Sequence, residues 1–319
     1  MLLVRIGKWA YHFMEKFSPD SLSVHDFSTV PLDELLLESS RVRQEHFGDK
    51  IEFCAIVNAK SGRCAMNCRF CAQSAHYATT IESYPLLNAK TLVSETQKQW
   101  NRGIHRIGWV ASGVSAGDED ISKITEAAKQ CRGGRLCASL GQVSREALQN
   151  LIDAGFTRYH HNLETSERFY PNICDTQKWS DRLATVELAK SLGLETCSGG
   201  LFGLGESWQD RYDLAIVLRE IGVDSIPINF LNPIPGTPLA NTPILSIEDA
   251  LRILAMFRIL VPKATIRICG GRPAVFGNRQ SEMLRSGLNA IMTGDYLTTS
   301  GISLEIDRQM IQQAGFFNV

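Results

Sequence analysis

The sequence predicts an α/β fold, a (β/α)8 barrel of the TIM type with an N-terminal helical extension. From about residue 50 onward, short apolar runs bounded by glycine alternate with amphipathic helical stretches, as in a parallel barrel. The 319 residues suffice for one such barrel, and no Pro/Gly/Ser-rich linker divides them. We therefore expect a helical extension over residues 1–48 and the barrel over residues 49–319.

Each expected element rests on a local pattern. Eight strands are predicted at 51–57, 105–112, 135–141, 158–164, 195–200, 225–231, 265–270 and 290–293. Helices are predicted at 4–18, 32–47, 91–102, 119–130, 144–154, 180–192, 207–221, 246–260 and 279–286. Ser144 and Ser246 stand where helix N-caps are expected. Glycine follows four helix ends, where a left-handed cap favours it: Gly103, Gly155, Gly193 and Gly222.

Composition and charge narrow the class of protein. The chain is 44% hydrophobic and 21% charged, with a formal net charge of -1, which is typical of a soluble globular protein. A near-zero charge gives no reason to expect nucleic acid or a membrane as a partner. Nine cysteines without a recognisable signal peptide predict a cytoplasmic protein whose thiols are reduced and bind metal.

Three cysteines, Cys64, Cys68 and Cys71, fall within eight residues. Thiolates are the natural ligands of iron–sulfur clusters, and this loop can hold three corners of a [4Fe–4S] cube while one iron stays open. A Cys3His zinc site with His76 and a disulfide are the weaker alternatives. The C-x3-C-x2-C spacing is the signature of the radical S-adenosylmethionine (SAM) enzymes, which the chain resembles in this loop.

The position of the triplet suits that chemistry. It follows the first strand, so it lies at the C-terminal mouth of the barrel, where barrel enzymes carry their functional groups. The resemblance implies that SAM chelates the open iron and is cleaved to a 5′-deoxyadenosyl radical. The glycine-rich stretch 199–206, with Gly199 and Gly200, is either an ordinary strand-to-helix turn or a close backbone approach to SAM. The triplet favours the second interpretation.

Four further cysteines, Cys54, Cys137, Cys197 and Cys269, fall on strands one, three, five and seven. Any one of them alone is better read as a small buried hydrophobe. Together they predict a second, auxiliary iron–sulfur cluster inside the barrel. Arg267 stands two residues before Cys269, so both face one side, where Arg267 either offsets the cluster charge or ligates it. The remaining two, Cys131 and Cys174, we interpret as ordinary cysteines at a helix end and in a loop.

Polar groups at two strand ends suggest a substrate. Asn162 and Asn229 carry amides that both donate and accept, which suits a urea-like or amide ligand. The competing interpretation is strand-end capping. His160 and His161 are adjacent, so on a strand at most one of them reaches the site.

From about residue 40 to its C-terminus the chain resembles the biotin synthase family. The matching segments are Ser61–Tyr77, Tyr159–Thr165, Thr196–Glu206, Ile226–Asn229, Pro235–Leu239 and Arg267–Arg272. The resemblance implies insertion of sulfur into dethiobiotin, with the sulfur drawn from a sacrificed auxiliary cluster. It also implies a homodimer and a ferredoxin or flavodoxin as electron donor.

The resemblance assigns residues as well. It makes Cys64, Cys68 and Cys71 the SAM-cluster ligands, and it makes Asn229 a contact to the ureido ring of dethiobiotin. Asn162 and Glu164 match positions that contact SAM and dethiobiotin, although the usual residue at 164 is Asp. We further assign Phe70, Gly199 and Gly200 to cofactor binding. Three of the four usual [2Fe–2S] ligands match: Cys137, Cys197 and Arg267.

The fourth ligand does not match, since the expected cysteine of the second strand falls at or beside Gly108. Instead, Cys54 and Cys269 stand where the usual enzymes tend to have serine. We therefore predict a four-iron auxiliary cluster on Cys54, Cys137, Cys197 and Cys269, as in a variant type of the family, in preference to [2Fe–2S]. The alternatives are another radical SAM enzyme of the same branch, of the hydrogenase-maturation or pyrrolysine-pathway kind, and an iron–sulfur electron carrier without SAM chemistry.

Overall fold

The computed structural model describes residues 22–319, and the helix predicted at 4–18 lies outside them. A closed parallel barrel dominates the described part of the chain. Its eight positions are filled by strands in chain order, from the strand Lys50–Lys60 to the strand Ala290–Met292, which pairs back with the first. Every one of these pairings is parallel, so all the strand C-termini meet at one mouth. The predicted (β/α)8 class is confirmed.

The strands are short and close to their predicted positions. Their bounds are β1 Lys50–Lys60, β2 Arg106–Ala111, β3 Arg135–Ser139, β4 Phe156–His160, β5 Glu195–Cys197, β6 Gly200–Phe202, β7 Ser225–Phe230, β8 Thr265–Ile268, β9 Ala290–Met292 and β10 Phe317–Asn318. Strand β10 lies outside the closed barrel and pairs with the start of β1.

The helices cover the outside of the barrel. They are α1 Val24–Thr29, α2 Leu32–Phe47, α3 Ala89–Asn101, α4 Asp118–Ala128, α5 Arg145–Asp153, α6 Trp179–Ser191, α7 Trp208–Ile221, α8 Ile247–Leu260, α9 Arg272–Phe276 and α10 Leu304–Gln313. The helix predicted at 279–286 is a 3-10 helix, Gln280–Ser286, and α1, α9 and α10 were not predicted. Each described helix is too short or too polar to cross a membrane.

Local capping fixes where several helices begin and end. The predicted N-caps are confirmed, because Ser144 Oγ accepts from the Ala147 N–H and Ser246 Oγ accepts from the Asp249 N–H. A positive φ follows the four predicted helix ends, at Gly103, Gly155, Gly193 and Gly222. These caps hold the βα units in register around the barrel.

The fifth barrel position is split, whereas the sequence predicted one strand over 195–200. Strand β5 pairs with β7 at Cys197, and pairing resumes only at Gly200. Pro227 lies in β7 opposite the gap and has no N–H to donate to the ladder. A Cβ on Gly199 would lie 2.1 Å from the Pro227 carbonyl oxygen, so only glycine permits this approach. On the side of β4, the Gly199 N–H donates to Asn162 Oδ1 at 3.1 Å.

The first two helices pack firmly on the barrel. Helix α8 is buried over residues 250–260 because α1 and α2 cover the face that it turns away from the strands. Its Arg252 donates to the Val30 carbonyl at 2.7 Å, and its Arg258 donates to the Gly287 carbonyl at 2.7 Å. The first bond ties the helices before β1 to α8, and the second ties α8 to the segment before β9.

Candidate active site inside the barrel

A cavity of about 410 Å³ opens at the mouth and extends down the barrel axis. This volume suits a small-molecule site. Alternate residues of successive strands line it, as expected for inward-facing side chains. On β1 these are Cys54 and Ile56, and on β4 they are Arg158 and His160.

The triplet loop, residues 64–71, folds back on itself at the mouth. The Cys64 N–H donates to the Gln73 carbonyl at 2.9 Å, and the Cys71 N–H donates to the Cys68 carbonyl at 2.9 Å. Cys71 and Phe70 line the cavity, whereas Cys68 is buried behind them. Burial raises the pKa of Cys71 to about 11, and the charge of Cys64 raises it too, so these thiols lie close together.

No three His, Cys, Asp or Glu side chains of residues 22–319 converge as they would around one metal ion. His76, the histidine of the zinc alternative, places its Nε2 2.9 Å from the Ala65 carbonyl oxygen. In this structure the His76 ring is thus engaged by the backbone of the triplet loop.

Cys174 lies against Cys68, a contact that no sequence pattern indicated. The Cys68 thiol hydrogen-bonds to Cys174, and this bond, followed by burial, raises the pKa of Cys68. The same bond lowers the pKa of Cys174 to about 5.

The four strand cysteines share the lower half of the cavity. Cys54, Cys137, Cys197 and Cys269 are all buried, and all four line its wall. Burial raises the pKa of Cys54, Cys137 and Cys269, and the charge of the nearby Cys197 raises each of these pKa values further. Gly108, the predicted place of the missing cysteine, lies in register between Ile56 and Cys137.

A layer of charge lies beneath these cysteines, and we call it the charged floor: Glu52, Arg106, Arg158, Glu195 and Arg267. Glu52 accepts from Arg267 at 2.6 Å and from Arg106 at 3.3 Å. Glu195 lies 2.8 Å from Arg158 and 3.1 Å from Arg106. Burial raises the pKa of Glu52, but the three arginines lower it to about 2.

The charged floor has one more cation than anion, and its hydrogen bonding is incomplete. Each of Arg106, Arg158 and Arg267 keeps a buried Nη1 without a partner among the described residues. Leaving a buried charged donor unpaired is costly. Three such donors beside four thiols fit a polyanionic group, such as an iron–sulfur cluster held by thiolates.

His160 joins the cysteine layer. It stands opposite Cys197 in the β4–β5 ladder and hydrogen-bonds to its sulfur. Burial raises the pKa of Cys197, but the charge and hydrogen bond of His160, with Arg158 and Arg267, lower it to about 6. His160 therefore favours the thiolate, which is the form that binds iron.

The amide and carboxylate groups occupy the upper cavity. Asn162, Glu164 and Asn229 line it, and each is half-buried. Both asparagines also bond to backbone: Asn229 Oδ1 accepts from the Gly270 N–H at 3.0 Å, as Asn162 does from Gly199. The capping interpretation is thus confirmed at both side chains, and both also line the cavity where a ligand is predicted.

Glu164 has an unusual backbone. Its φ is +71°, a conformation that costs a non-glycine residue energy and that is enriched at functional sites. Burial raises the pKa of its carboxyl group, and Arg182, 3.6 Å away, opposes the rise. Gly199 and Gly200 do not line the cavity: their missing side chains admit the carbonyls of Pro227 and Glu164.

Sequence reasoning missed several members of this site. Glu52, Arg106, Arg158 and Glu195 were not predicted, although each stands two residues before an inward-facing position, as Arg267 does. The period of two that linked Arg267 to Cys269 would have found them. The contact between Cys68 and Cys174 had no sequence signal, because it depends on how two loops meet.

Two family domains match this chain. The chain matches the radical SAM superfamily over residues 59–218 and the biotin and thiamin synthesis associated domain over residues 227–317. Methylornithine synthase has a similar structure, with a TM-score of 0.82 at 16% identity, covering 96% of this chain and 97% of its own. The FeFe-hydrogenase maturase from Carboxydothermus hydrogenoformans gives 0.80 at 18%, covering 98% and 80%. The fold and the triplet loop define a radical SAM enzyme.

Sequence relatives narrow the class. The biotin synthase of Desulfovibrio desulfuricans is 48% identical over 290 residues, 90% of this chain and 92% of the relative. Those of Trichlorobacter lovleyi and Clostridium botulinum strain Langeland are 45% and 43% identical, covering 93% and 92% of this chain and 91% and 93% of their own. The chain belongs to the biotin synthase family. Membership implies a [4Fe–4S] cluster with SAM, an auxiliary iron–sulfur cluster and dethiobiotin as substrate.

Proposed function

We propose that this chain inserts sulfur into dethiobiotin and that its auxiliary cluster is of the four-iron type, held by Cys54, Cys137, Cys197 and Cys269. The observation that carries the proposal is the shared cavity. One end holds the triplet loop, and the other holds four buried thiols above three unpaired arginine N–H groups. Family membership alone leaves the type of auxiliary cluster open.

At the mouth, Cys64, Cys68 and Cys71 would hold the [4Fe–4S] cluster. When bound, this cluster and SAM supply a carbon-centred radical by reductive cleavage of SAM. The chain supplies position and shielding: Phe70 covers the loop on the cavity side, while Asn162 and Glu164 offer hydrogen bonds to SAM and the substrate. Gly199 and Gly200 act on this site through packing, because they let Asn162 and Glu164 approach β5 and β6.

In the lower cavity, the charged floor would neutralise part of the cluster charge. Arg267 lies beside Cys54, Cys197 and Cys269, whose charges raise its own pKa against the opposing effect of burial. A protonated Arg267 bonded to Glu52 is a donor to cluster sulfur and a poor ligand to iron. We therefore propose four cysteine ligands with Arg267 as their neighbour.

The substrate would lie between the two clusters. Asn229 is on β7 between the mouth and the cysteine layer, and its amide would bond the ureido ring. This placement brings the carbons that receive sulfur within reach of both ends of the cavity.

The decisive experiment is biotin formation from dethiobiotin and SAM under reducing, anaerobic conditions, combined with iron and sulfide analysis. We expect about eight irons per chain for two four-iron clusters. A value of about six contradicts the four-iron proposal without touching the reaction. The Cys54→Ser and Cys269→Ser variants are expected to lose iron and activity, whereas Cys131→Ser, which alters a cysteine outside the cavity, keeps both. Full iron and activity in both cavity variants would refute the ligand set.

Four further proposals remain, two from the family resemblance (the first two) and two from the cysteine usage and the sequence pattern (the last two). They are a homodimer, a ferredoxin or flavodoxin as electron donor, a cytoplasmic location, and the division into an extension over 1–48 and a barrel over 49–319. Light scattering of the purified chain tests the first, and SAM cleavage driven by each reduced donor tests the second.

A further inference from the structure

We propose that Cys68 and Cys174 form a disulfide when the SAM cluster is lost to oxygen, so that Cys174 protects a cluster ligand from irreversible oxidation. The proposal goes beyond the proposed function and uses from it only the role of Cys68 as a cluster ligand. Cys174 itself does not line the cavity.

Two segments of the chain, residues 67–69 and 173–176, run side by side. The Arg69 N–H donates to the Ile173 carbonyl at 2.9 Å, and the Asn67 N–H donates to Thr176 Oγ1 at 3.0 Å. Residue 68 is therefore held opposite residue 174.

The Asn67 side chain adds two hydrogen bonds between these segments. Its Oδ1 accepts from the Asp175 N–H at 3.2 Å and from the Thr176 N–H at 3.4 Å. The link does not require the cluster, because every one of these bonds is made by the chain itself. Loss of the cluster would thus leave the two thiols together.

The thiols are placed for reaction. The backbone bonds of residues 67 and 69 hold them opposite each other, and both are buried, with Cys68 7% exposed and Cys174 3% exposed. Small oxidants enter such a site more readily than proteins or glutathione do. The other seven cysteines lie in the triplet, in the lower cavity or at the end of α4.

The step balances with dioxygen as oxidant. Both S–H bonds break and one S–S bond forms, and two electrons and two protons pass to dioxygen to give hydrogen peroxide. Exchange with a dithiol reverses the step. Without a neighbouring thiol, the sulfenic acid of Cys68 would proceed to sulfinic and sulfonic acids, which no longer bind iron.

The test starts from the full chain with its clusters reconstituted, exposed to air and then digested with trypsin after alkylation. Trypsin cuts after Arg63, Arg69, Arg168 and Lys178, so Cys68 falls in the peptide 64–69 and Cys174 in the peptide 169–178. We expect these two peptides to be joined, with fragmentation placing the bond on Cys68. Dithiothreitol should separate them.

The Cys174→Ser variant should lack the link and accumulate sulfinic and sulfonic acids on the 64–69 peptide. After reduction with iron and sulfide it should regain severalfold less SAM-cluster absorbance than the wild type. Cys131→Ser serves as the matched control and should behave as the wild type. Circular dichroism and cluster binding before air exposure verify that Cys174→Ser is folded.

A bond from Cys68 to Cys64 or Cys71, or a free Cys174 thiol in the air-exposed wild type, overturns the proposal. Equal recovery of Cys174→Ser and wild type overturns the protective role. These readouts are independent of biotin formation, so a failure of the proposed reaction would appear separately in the anaerobic assay.

Discussion

Glu52→Gln tests the electrostatics of the charged floor. In the wild type the Glu52 carboxylate lies 2.6 Å from Arg267 and 3.3 Å from Arg106. Glutamine keeps the shape and one acceptor oxygen but removes the charge, which leaves three cations facing one carboxylate. We expect the metal-free, reduced variant to be less stable than the wild type at neutral pH.

The size of the effect follows from the pKa of Glu52. The drop from 4.5 to about 2 corresponds to about 3 kcal/mol. Because the side chain is 29% exposed, solvent screening reduces the expected loss to about 2 kcal/mol. A carboxyl group whose pKa is lowered by folding stabilises the protein above its unfolded pKa and loses that effect as the pH falls toward the folded value. Roughly half of the difference should therefore be gone near pH 3.5.

Urea unfolding of both proteins at pH 7 and at about pH 3.5 measures this difference. Glu126→Gln, an exposed position on α4, is the matched control and should unfold as the wild type does at both pH values. Equal stability of Glu52→Gln and wild type at pH 7 would show that the arginines do not need this carboxylate. A difference that grows as the pH falls would contradict the sign of the argument.

Two further predictions concern other buried groups. Asp307→Asn should lower the free energy of unfolding by about 3 kcal/mol, because it leaves the fully buried Arg272, now held by bonds of 2.9 and 3.0 Å, without its counter-charge. In thermal melts Glu305→Gln on the same helix should leave the stability nearly unchanged, because its ion pair with Arg102 is exposed. Equal losses of stability in the two variants would refute the distinction between buried and exposed pairs. His160→Leu should raise the pKa of Cys197 above about 6, seen as an upward shift in an ultraviolet thiolate titration of the metal-free chain. An unchanged midpoint would remove His160 as the cause.

Hydrophobic periodicity and helix-capping residues predicted most of the fold. Alternating apolar runs placed eight barrel positions, and Ser144 and Ser246 placed helix starts that the structure confirms. The split at Gly199 was not visible, because its cause is Pro227 on a different strand. The end of the chain was missed too: α10 is polar for most of its length, and its buried residues are Leu304, Ile311 and Asp307, the last paired with Arg272.

The candidate site likewise contains residues that the sequence predicted and contacts that it did not. Residues whose position follows from strand alternation, such as Cys54 and Cys269, are gathered where the sequence placed them, while their role as ligands stays a prediction. The assignment of Cys174 as an ordinary loop cysteine missed its contact with Cys68. That contact depends on backbone bonds between two loops far apart in sequence, which no local pattern encodes.

The unpaired Nη1 groups of the charged floor bear on the lifetime of the protein during its maturation. A folded chain with three buried, unpaired donors holds free energy that an anionic cluster would release on binding. Anything that binds the native state alone lowers the population of opened molecules that proteases cut. Binding of an anionic cluster to these donors would therefore slow the degradation of the chain.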